Sequence, residues 1–294
     1  MKIIPGPASK QLGEKVAELL GTEAVPLVFK TYPDGESYVR LEGTVQNEEV
    51  AIVQTTSPPQ DTRLMQLALI ADAAKRHGAE KVTAVVPYLA YARQDKVFLQ
   101  GEALSIEAIA RMLKAAGVDS LITVNVHQAK VLAKFPFPAK TISAILLLAE
   151  YFKQKGFEKT FALAPDDGAL WLVEEAKAVL GGECGYLEKQ RDLYTGQISM
   201  KKKTLNVHAK NVIIFDDVIS TGGTVALAAK NMRELGADKV YVACVHPLLI
   251  GDAEKRILES GVEEIIGTDS VPSHVSKVSL APLISKALKE SASG

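Results

Sequence analysis

Short apolar runs rich in β-branched residues alternate along this chain with longer amphipathic stretches. The short runs have the composition of buried strands, and they are Val50–Val53, Lys81–Val86, Leu121–Val126, Thr160–Leu163, Val212–Phe215 and Lys239–Val245. The longer stretches carry apolar residues at three- and four-residue spacing, which predicts helices over Leu64–Arg76, Ser105–Ala116, Ala144–Lys155, Leu170–Leu180 and Thr224–Leu235. Strands that alternate with helices predict parallel sheets covered on both faces, so we expect an α/β fold.

A faint internal repeat predicts two related halves. His77–Val82 (HGAEKV) is similar to Leu235–Val240 (LGADKV) at an offset of 158 residues, and each segment follows a predicted helix. Ala116–Asp119 (AGVD) is similar to Ser260–Glu263 (SGVE) at an offset of 144, so the first half carries an insertion of 14 residues. The charged segment Tyr91–Gly101 is our candidate for it, because it follows a strand end, where open α/β sheets bind ligands. The alternative is that Gly-Ala-x-Lys-Val is only a common helix-to-strand turn.

Composition limits the environment and the partners. The chain has 34 Lys and Arg against 35 Asp and Glu, and this net charge of −1 disfavours whole-surface binding to nucleic acid or membrane. Cys184 and Cys244 are too few and too far apart for a disulfide framework, so we expect a reducing compartment. The apolar segment Ile142–Ala149 is far below the roughly 20 residues of a transmembrane helix, and no signal peptide is recognisable. A cytoplasmic location is the expectation.

The strongest motif is Val212–Thr224 (VIIFDDVISTGGT), in which an apolar strand, two acids and a hydroxyl- and glycine-rich turn precede a predicted helix. Glycines let the backbone approach an anion, the first amides of a helix point at it, and hydroxyl groups add donors. The segment is therefore a candidate cradle for a monophosphate, whereas the acids would accept hydrogen bonds from sugar hydroxyls or hold a Mg²⁺ shell. A merely capped helix start is the alternative. The candidate residues are Asp216, Asp217, Ser220, Thr221, Gly222, Gly223 and Thr224.

This segment resembles the phosphoribosyl-diphosphate binding motif of phosphoribosyltransferases and of ribose-phosphate diphosphokinase, also called phosphoribosyl diphosphate synthetase. Further segments near residues 32, 91, 127, 166 and 189 resemble the diphosphokinase, in particular its shorter, archaeal-type members. The resemblance implies two related phosphoribosyltransferase-type (Rossmann-like) domains, each a mainly parallel sheet flanked by helices. The length of 294 residues fits two domains. We place them at 1–143, with the nucleotide-binding segments, and at 144–294, with the ribose-5-phosphate loop.

Two segments in the first half resemble the family's nucleotide-binding loops. Tyr32-Pro-Asp-Gly-Glu36 is similar to the family's aromatic-x-Asp-Gly-Glu loop, and Tyr91-Ala-Arg-Gln-Asp95 to its second nucleotide segment. The residues implied to bind ATP are Asp34, Gly35, Glu36, Arg93 and Gln94. A guanidinium group is chemically suited to a polyphosphate. An ordinary turn and a solvated charged loop are the alternatives.

Two strand ends resemble the family's metal-binding positions. His127 follows Leu121–Val126, and Asp166 follows Thr160–Leu163 in the sequence Ala164-Pro-Asp-Asp-Gly168. The resemblance implies that both residues bind Mg²⁺, and it favours Asp166 over Asp167, which takes a position often held by His. A structural His and an acidic helix cap are the alternatives.

The segment Glu188-Lys-Gln-Arg191 resembles the family's Lys-x-Arg catalytic pair on a hairpin. The resemblance implies that Lys189 and Arg191 stabilise the transition state, and that Arg191 also contacts ribose 5-phosphate. By itself the segment is only a surface charge cluster.

The resemblance implies an enzyme of nucleotide biosynthesis. The expected reaction transfers the β,γ-diphosphoryl group of MgATP to the 1-hydroxyl of ribose 5-phosphate, which gives 5-phosphoribosyl 1-diphosphate and AMP. The family's Tyr32–Glu36 loop completes the nucleotide site of a neighbouring subunit, so a homo-oligomer, dimeric or larger, is expected. A phosphoribosyltransferase and a non-catalytic, synthetase-associated regulatory subunit are the alternatives.

Overall fold

The computed structural model describes residues 1–157, 159–191, 198–201 and 205–292. The strands are β1 (Lys2–Pro5), β2 (Leu27–Thr31), β3 (Ser37–Leu41), β4 (Glu49–Val53), β5 (Lys81–Val86), β6 (Ser120–Val124), β7 (Ala139–Ile142), β8 (Phe161–Ala164), β9 (Glu183–Tyr186), β10 (Glu188–Arg191), β11 (Ile198–Lys201), β12 (Asn211–Ile219), β13 (Lys239–Pro247), β14 (Val262–Thr268) and β15 (Ser276–Val278). The α-helices are α1 (Lys10–Leu20), α2 (Gln60–Arg76), α3 (Ser105–Ala115), α4 (Ile145–Gln154), α5 (Leu170–Leu180), α6 (Gly223–Glu234), α7 (Ala253–Glu259) and α8 (Ala281–Ala292). Short 3₁₀ helices cover Ala129–Lys134 and Asp167–Ala169.

The chain forms two compact units. The first contains Met1–Ser143, the short segment Ser270–Pro272 and the C-terminal stretch from Ser279 onward, and the second contains Ala144–Asp269 and Ser273–Val278. Helix α8 belongs to the first unit, where Lys140 Nζ donates to the carbonyl of Ala287 at 3.2 Å and to Ser291 Oγ at 2.7 Å. The chain therefore returns to the first unit near its C-terminal end. The predicted division into 1–143 and 144–294 instead places this stretch in the second domain.

The first unit is built on a parallel sheet with strand order β1-β4-β5-β6-β7. Ile4 and Ile52 pack with Leu67 and Ile70 of α2 in one buried cluster. Their neighbours in the strands are also fully buried, so the sheet is covered on both faces. An antiparallel hairpin of β2 and β3 forms a separate two-stranded sheet.

The second unit has a larger sheet with strand order β15-β14-β13-β12-β8-β9, in which the paired strands run parallel. Its core includes a cluster of aromatic rings. Phe152 of α4 lies 5.4 Å from Phe157 and 6.1 Å from Tyr241 of β13, between ring centroids, and both pairs meet edge to face. Such pairs add attraction beyond the burial of apolar area.

The two units repeat the same connection in atomic detail, which confirms the internal repeat. In the first unit, the Asn47 N–H donates to Gly78 O at 2.8 Å, and the Glu80 N–H donates to Glu48 O at 2.9 Å. In the second unit, the Ala209 N–H donates to Gly236 O at 2.8 Å, and the Asp238 N–H donates to Lys210 O at 2.9 Å. Gly78 and Gly236 both have φ of +85°. The two units thus share two hydrogen bonds at corresponding positions and the same φ at the glycine. A common helix-to-strand turn alone would not require both hydrogen bonds, because each reaches a segment that precedes the helix.

The predicted α/β alternation is confirmed, with small shifts at the ends of elements. Every strand and helix predicted from the apolar pattern is present, and the largest extension is that of β12, which continues to Ile219. The predicted insertion also lies where it was expected. Residues 87–104 separate β5 from α3, whereas only residues 248–252 separate β13 from α7 in the second unit.

The helices in the described part of the chain are short relative to the thickness of a lipid bilayer. The helix α2 spans 17 residues and is the longest helix in the described part of the chain. A transmembrane helix requires about 20 predominantly apolar residues. Among the described residues, no helix combines the length and the apolar character needed to cross a membrane.

We predict that Phe152→Ala destabilises the protein by about 3–5 kcal/mol, because it leaves a cavity among packed rings. Phe152 is 2% exposed. The measurement is urea unfolding followed by circular dichroism. The matched control is Leu146→Ala on the same helix, where the side chain is 47% exposed, and it should cost less than about 1 kcal/mol. Equal losses for the two variants would contradict the packing described for this unit.

Candidate active site

The loop between β12 and α6, Ser220–Gly222, lies at the carboxyl edge of the second sheet. Gly222 caps α6 with a left-handed conformation, φ +72°. A Cβ atom at this position would lie 2.9 Å from Ile257 Cδ1 and 3.0 Å from the carbonyl of Ala253, both in α7. Gly223 differs, because a Cβ atom there would meet no atom within 4 Å. The loop is thus packed tightly on the α7 side and open at Gly223.

The backbone amides of this loop are oriented for an external acceptor. In the described part of the chain, the N–H groups of Ser220, Thr221 and Gly222 donate to no other residue. Gly223 and Thr224 open the first turn of α6, whose N–H groups have no partner within the helix. Consecutive free amides at a helix start, with hydroxyl groups beside them, form an anion-binding site. The structure therefore brings together the predicted residues from Ser220 to Thr224.

In the first unit, the segment that follows β4 begins with three paired amides. The N–H groups of Gln54 and Thr56 donate to the carbonyls of Val85 and Tyr88, and the Thr55 N–H donates to Ser9 Oγ at 2.8 Å. The matched hydrogen bonds align Glu48 with Lys210, and ten residues further along each chain segment this register aligns Pro58 with Ser220. Proline has no N–H group. The same register aligns Pro59 with Thr221, so two of the three open amides of the second unit have no counterpart in the first.

Two acids precede the open loop within β12. Asp216 and Asp217 are half-buried strand residues, so their side chains alternate between the faces of the sheet. Asp216 pairs in register with Cys244 of β13, and Asp217 Oδ1 accepts from the Val218 N–H at 2.8 Å. Burial, and then the negative charge of Asp216, raise the pKa of the Cys244 thiol well above its usual value. Cys244 is therefore a neutral core residue.

Asp166 lies at the carboxyl end of β8, the sheet neighbour of β12. Its carboxylate is half-buried, and Oδ1 lies 3.3 Å from where a Cβ atom on Gly168 would stand. Carboxylate oxygen is the protein donor that Mg²⁺ prefers, commonly through one or two carboxylates together with substrate phosphates. Within the described residues there is no cluster of three or more His, Cys, Asp or Glu side chains suited to a metal ion. The Asp166 carboxylate fits Mg²⁺ held partly by substrate oxygens.

The inserted loop of the first unit is fastened at two points, its first residue Tyr91 and the interior residue Asp95. The Tyr91 hydroxyl donates to the carboxylate of Asp61 in the first turn of α2. This hydrogen bond, together with burial and the charge of Asp61, raises the pKa of Tyr91. Lys130 Nζ lies 4.0 Å from Asp95 Oδ2 and joins the loop to the segment after β6. Sequence analysis missed Asp61, whose one signal is an acid in the first turn of a helix.

Three predicted residues lie on these two segments at the carboxyl edge of the first sheet. Arg93 and Gln94 follow β5, and His127 follows β6, its neighbour. The Gln94 N–H donates to the Tyr91 carbonyl at 3.1 Å, and the Arg93 and His127 side chains are exposed. Imidazole is a less usual Mg²⁺ ligand than carboxylate, so His127 fits as a single additional ligand. All three thus lie on segments that follow neighbouring strands, with Arg93 and His127 exposed and Gln94 partly buried.

The Tyr32–Glu36 turn joins β2 and β3 and is exposed throughout. The Tyr32 N–H donates to Glu36 O at 2.8 Å, and the Glu36 N–H donates to Asp34 Oδ1 at 3.1 Å. Gly35 has φ of +96°, which a residue with a side chain rarely adopts. Among the described residues, the polar contacts of Asp34 and Glu36 stay inside the turn, so it is not joined to Arg93 or Gln94.

The predicted catalytic pair lies on strand β10, which pairs antiparallel with β11. Along the backbone, Lys189 is opposite Met200 and Arg191 is opposite Ile198. The side chains of Lys189 and Arg191 lie outside the described part of the structure. Their assignment to catalysis stays a prediction.

Comparison with known proteins gives a consistent result over the whole chain. Residues 1–117 match the family model for the N-terminal domain of ribose phosphate pyrophosphokinase, and residues 196–288 match that for the phosphoribosyl synthetase-associated domain. The chain is 41% identical to the ribose-phosphate pyrophosphokinase of Methanosarcina mazei over 288 residues, which are 98% of this chain and 95% of that protein. The enzyme of the same name from Methanothermobacter thermautotrophicus is 40% identical over 288 residues, 98% of this chain and 100% of that protein.

The solved structures agree with the sequence comparison. The crystal structure of phosphoribosylpyrophosphate synthetase from Mycobacterium smegmatis matches with a TM-score of 0.87 and 28% identity, and the match covers 99% of this chain and 98% of that one. Identity above 40% over nearly the full length, two family models and a fold match of this extent lead to one conclusion. The chain belongs to the ribose-phosphate pyrophosphokinase family of ATP-using, phosphoribosyl-diphosphate-forming enzymes.

Proposed function

We propose that the chain transfers the β,γ-diphosphoryl group of MgATP to the 1-hydroxyl of ribose 5-phosphate and releases AMP. The observation that carries this proposal is the row of free amides from Ser220 to Gly222. These amides can donate hydrogen bonds to a terminal phosphate at the edge of the second sheet. The family relationship indicates the reaction, and this loop is the proposed binding site of ribose 5-phosphate, the substrate that accepts the diphosphoryl group.

Ribose 5-phosphate is assigned to the second unit. Its 5-phosphate would accept hydrogen bonds from the amides and hydroxyls of Ser220–Thr224, above the open surface of Gly223. Asp216 and Asp217 would accept hydrogen bonds from the ribose hydroxyls. A phosphate that takes no part in bond making then anchors the sugar, so its binding energy serves to position the reacting hydroxyl.

ATP is assigned to Arg93 and Gln94 on the inserted loop and to the turn residues Asp34, Gly35 and Glu36. The exposed turn is suited to reach a second copy of the chain, because its polar contacts are internal and leave its outer surface uncovered in the described residues. The proposal therefore includes a homo-oligomer, dimeric or larger, in which this turn completes a neighbouring nucleotide site. Cytoplasmic location is part of the proposal, since ATP is a substrate.

Mg²⁺ is assigned to Asp166 and His127. When bound, the ion supplies positive charge to the phosphoryl oxygens. Asp166 holds its carboxylate half-buried at a strand end, which supports a fixed position for this ligand. Lys189 and Arg191 would place cationic donors beside the oxygens that gain charge as the bond to AMP breaks, and Arg191 would also contact the sugar phosphate.

The reaction itself is tested by phosphorus NMR of the protein with ATP, ribose 5-phosphate and Mg²⁺. We expect AMP and an anomeric diphosphate to form in equal amounts. Lys189→Ala should lower the rate by about 10²-fold or more, whereas Gln190→Ala, between the two cations, should change it less than about twofold. The proposal fails if the folded protein forms neither product across a range of Mg²⁺ and phosphate concentrations.

The phosphate loop is tested by two glycine variants. Gly223→Ala should leave the melting temperature unchanged, since its methyl group meets no protein atom, yet raise KM for ribose 5-phosphate about tenfold by entering the phosphate space. Gly222→Ala should instead lower stability by about 1 kcal/mol or more, because of its positive φ and the contact with α7. An unchanged KM for Gly223→Ala would place the phosphate elsewhere.

The metal assignment is tested by a neighbouring pair of acids. Asp166→Asn should lower kcat by about 10²-fold and raise the Mg²⁺ concentration needed for half-maximal activity, because an amide is a poor substitute for a carboxylate ligand. Asp167→Asn, at the exposed adjacent position, should alter both quantities less than about twofold. Equal effects of the two variants on the Mg²⁺ dependence would remove Asp166 from the metal site.

A further inference from the structure

The β12–α6 loop is held from one side by the segment Leu249–Arg256. The Leu249 N–H donates to the Ile219 carbonyl at 3.1 Å, and the Ile250 N–H donates to the Ser220 carbonyl at 2.9 Å. The third consecutive carbonyl, that of Thr221, accepts a hydrogen bond from Nη1 of Arg256 on α7. We call these three donors the carbonyl clamp.

Peptide geometry links the clamp to the open side of the loop. In a planar trans peptide, the carbonyl and the N–H of the next residue point in opposite directions. A carbonyl fixed toward the clamp therefore turns the following N–H away from it. The three N–H groups so directed are those of Ser220, Thr221 and Gly222, the same three that donate to no other described residue.

Arg256 differs from the other two donors because it is a side chain with a formal charge. Among the described residues, no carboxylate lies within ion-pairing distance of its guanidinium group. The side chain is exposed, although α7 itself is anchored by the buried residues Ala253 and Ile257, which also pack against Gly222. An arginine that is not neutralised by an acid, and that bonds a carbonyl at the edge of an anion site, adds positive potential there as well as a contact.

Without this contact, the Thr221–Gly222 peptide would lose the one donor that holds its orientation. A rotated peptide would present the Thr221 carbonyl, instead of the Gly222 N–H, to an incoming phosphate. Gly222 has φ of +72° in the structure, but glycine lacks a Cβ atom and can adopt negative φ as well, so the peptide before it is free to rotate.

We propose that Arg256 is a positioning residue for ribose 5-phosphate, which acts by fixing the Thr221–Gly222 peptide in the anion-binding orientation. This inference rests on the proposed function, because it takes Ser220–Thr224 as the 5-phosphate site. Arg256 acts through the peptide and is not required to touch the reacting atoms.

The test compares Arg256→Met, Arg256→Lys and Lys255→Met in steady-state kinetics, with each substrate varied separately. Methionine keeps much of the apolar stem without donor or charge, and lysine restores one charged donor. Lys255 is the matched control, since it is the exposed neighbour on α7 and its Nζ lies 3.8 Å from Glu259. Arg256→Met should raise KM for ribose 5-phosphate about tenfold, while KM for ATP and the melting temperature stay close to those of the parent. In Arg256→Lys, the increase in log KM for ribose 5-phosphate should be at most half of that in Arg256→Met.

Three results would overturn the positioning role. They are a KM for ribose 5-phosphate within twofold of the parent in Arg256→Met, an equal rise in Lys255→Met, and a fall in kcat with both KM values unchanged. If Arg256→Met does not fold, Arg256→Lys carries the test, with an expected rise in KM of about threefold. Calorimetric measurement of ribose 5-phosphate binding in the absence of ATP tests the role of Arg256 separately from the proposed reaction. A protein that binds the sugar phosphate through Arg256 but forms no AMP would contradict the proposed reaction and retain the clamp.

Discussion

A backbone N–H group costs free energy if it is removed from water and given no acceptor, so nearly all such groups in a folded chain are paired. At the β12–α6 junction, three consecutive groups from Ser220 to Gly222 have no acceptor among the described residues. Solvent or a ligand must supply the acceptor. The helix that follows adds further free amides and the positive end of its dipole. The same geometry that starts α6 is therefore suited to the dianionic phosphate that we propose for it, and Asp166 and Asp216 lie near the ends of two neighbouring parallel strands.

The repeat contains a second version of this strand-to-helix junction, between β4 and α2 of the first unit. In the first unit, the register aligns Pro58 with Ser220 and Pro59 with Thr221, and proline has no N–H group. The first unit therefore lacks two of these open donors, and its inserted loop at Tyr91–Gly101 supplies the residues assigned to the nucleotide. The two repeated edges thus differ in the backbone donors that they offer. In this interpretation the two substrates bind to different elements of the repeated fold.

The sequence predicts those features that depend on local pattern. The apolar runs of β4, β5, β12 and β13 are buried on both faces, so composition alone identifies them. The short strand β7 and the hairpin of β2 and β3 escaped prediction, because they are half-buried and owe their pairing to neighbours. The Ser220–Thr224 loop could be predicted, since its chemistry is contiguous. Arg256 could not, because a single surface arginine carries no local signal that its guanidinium reaches a carbonyl 35 positions away.

The proposed division between neutral and charged donors has a physical reason. The 5-phosphate keeps its charge throughout diphosphoryl transfer, so contacts to it bind substrate and transition state alike and serve mainly to position the sugar. Rigid backbone amides, held by a carbonyl clamp, are suited to that task. The charge on the oxygens of the transferred group changes during the reaction. Only protein groups that bind these oxygens more strongly in the transition state than in the ground state accelerate the reaction. Cationic side chains on separate segments, Arg93 on the inserted loop and Lys189 on β10, are suited to the second task. In this proposal, backbone amides supply most contacts to the phosphate whose charge does not change, with Arg256 beside them, and the cations of Arg93 and Lys189 serve the oxygens whose charge changes.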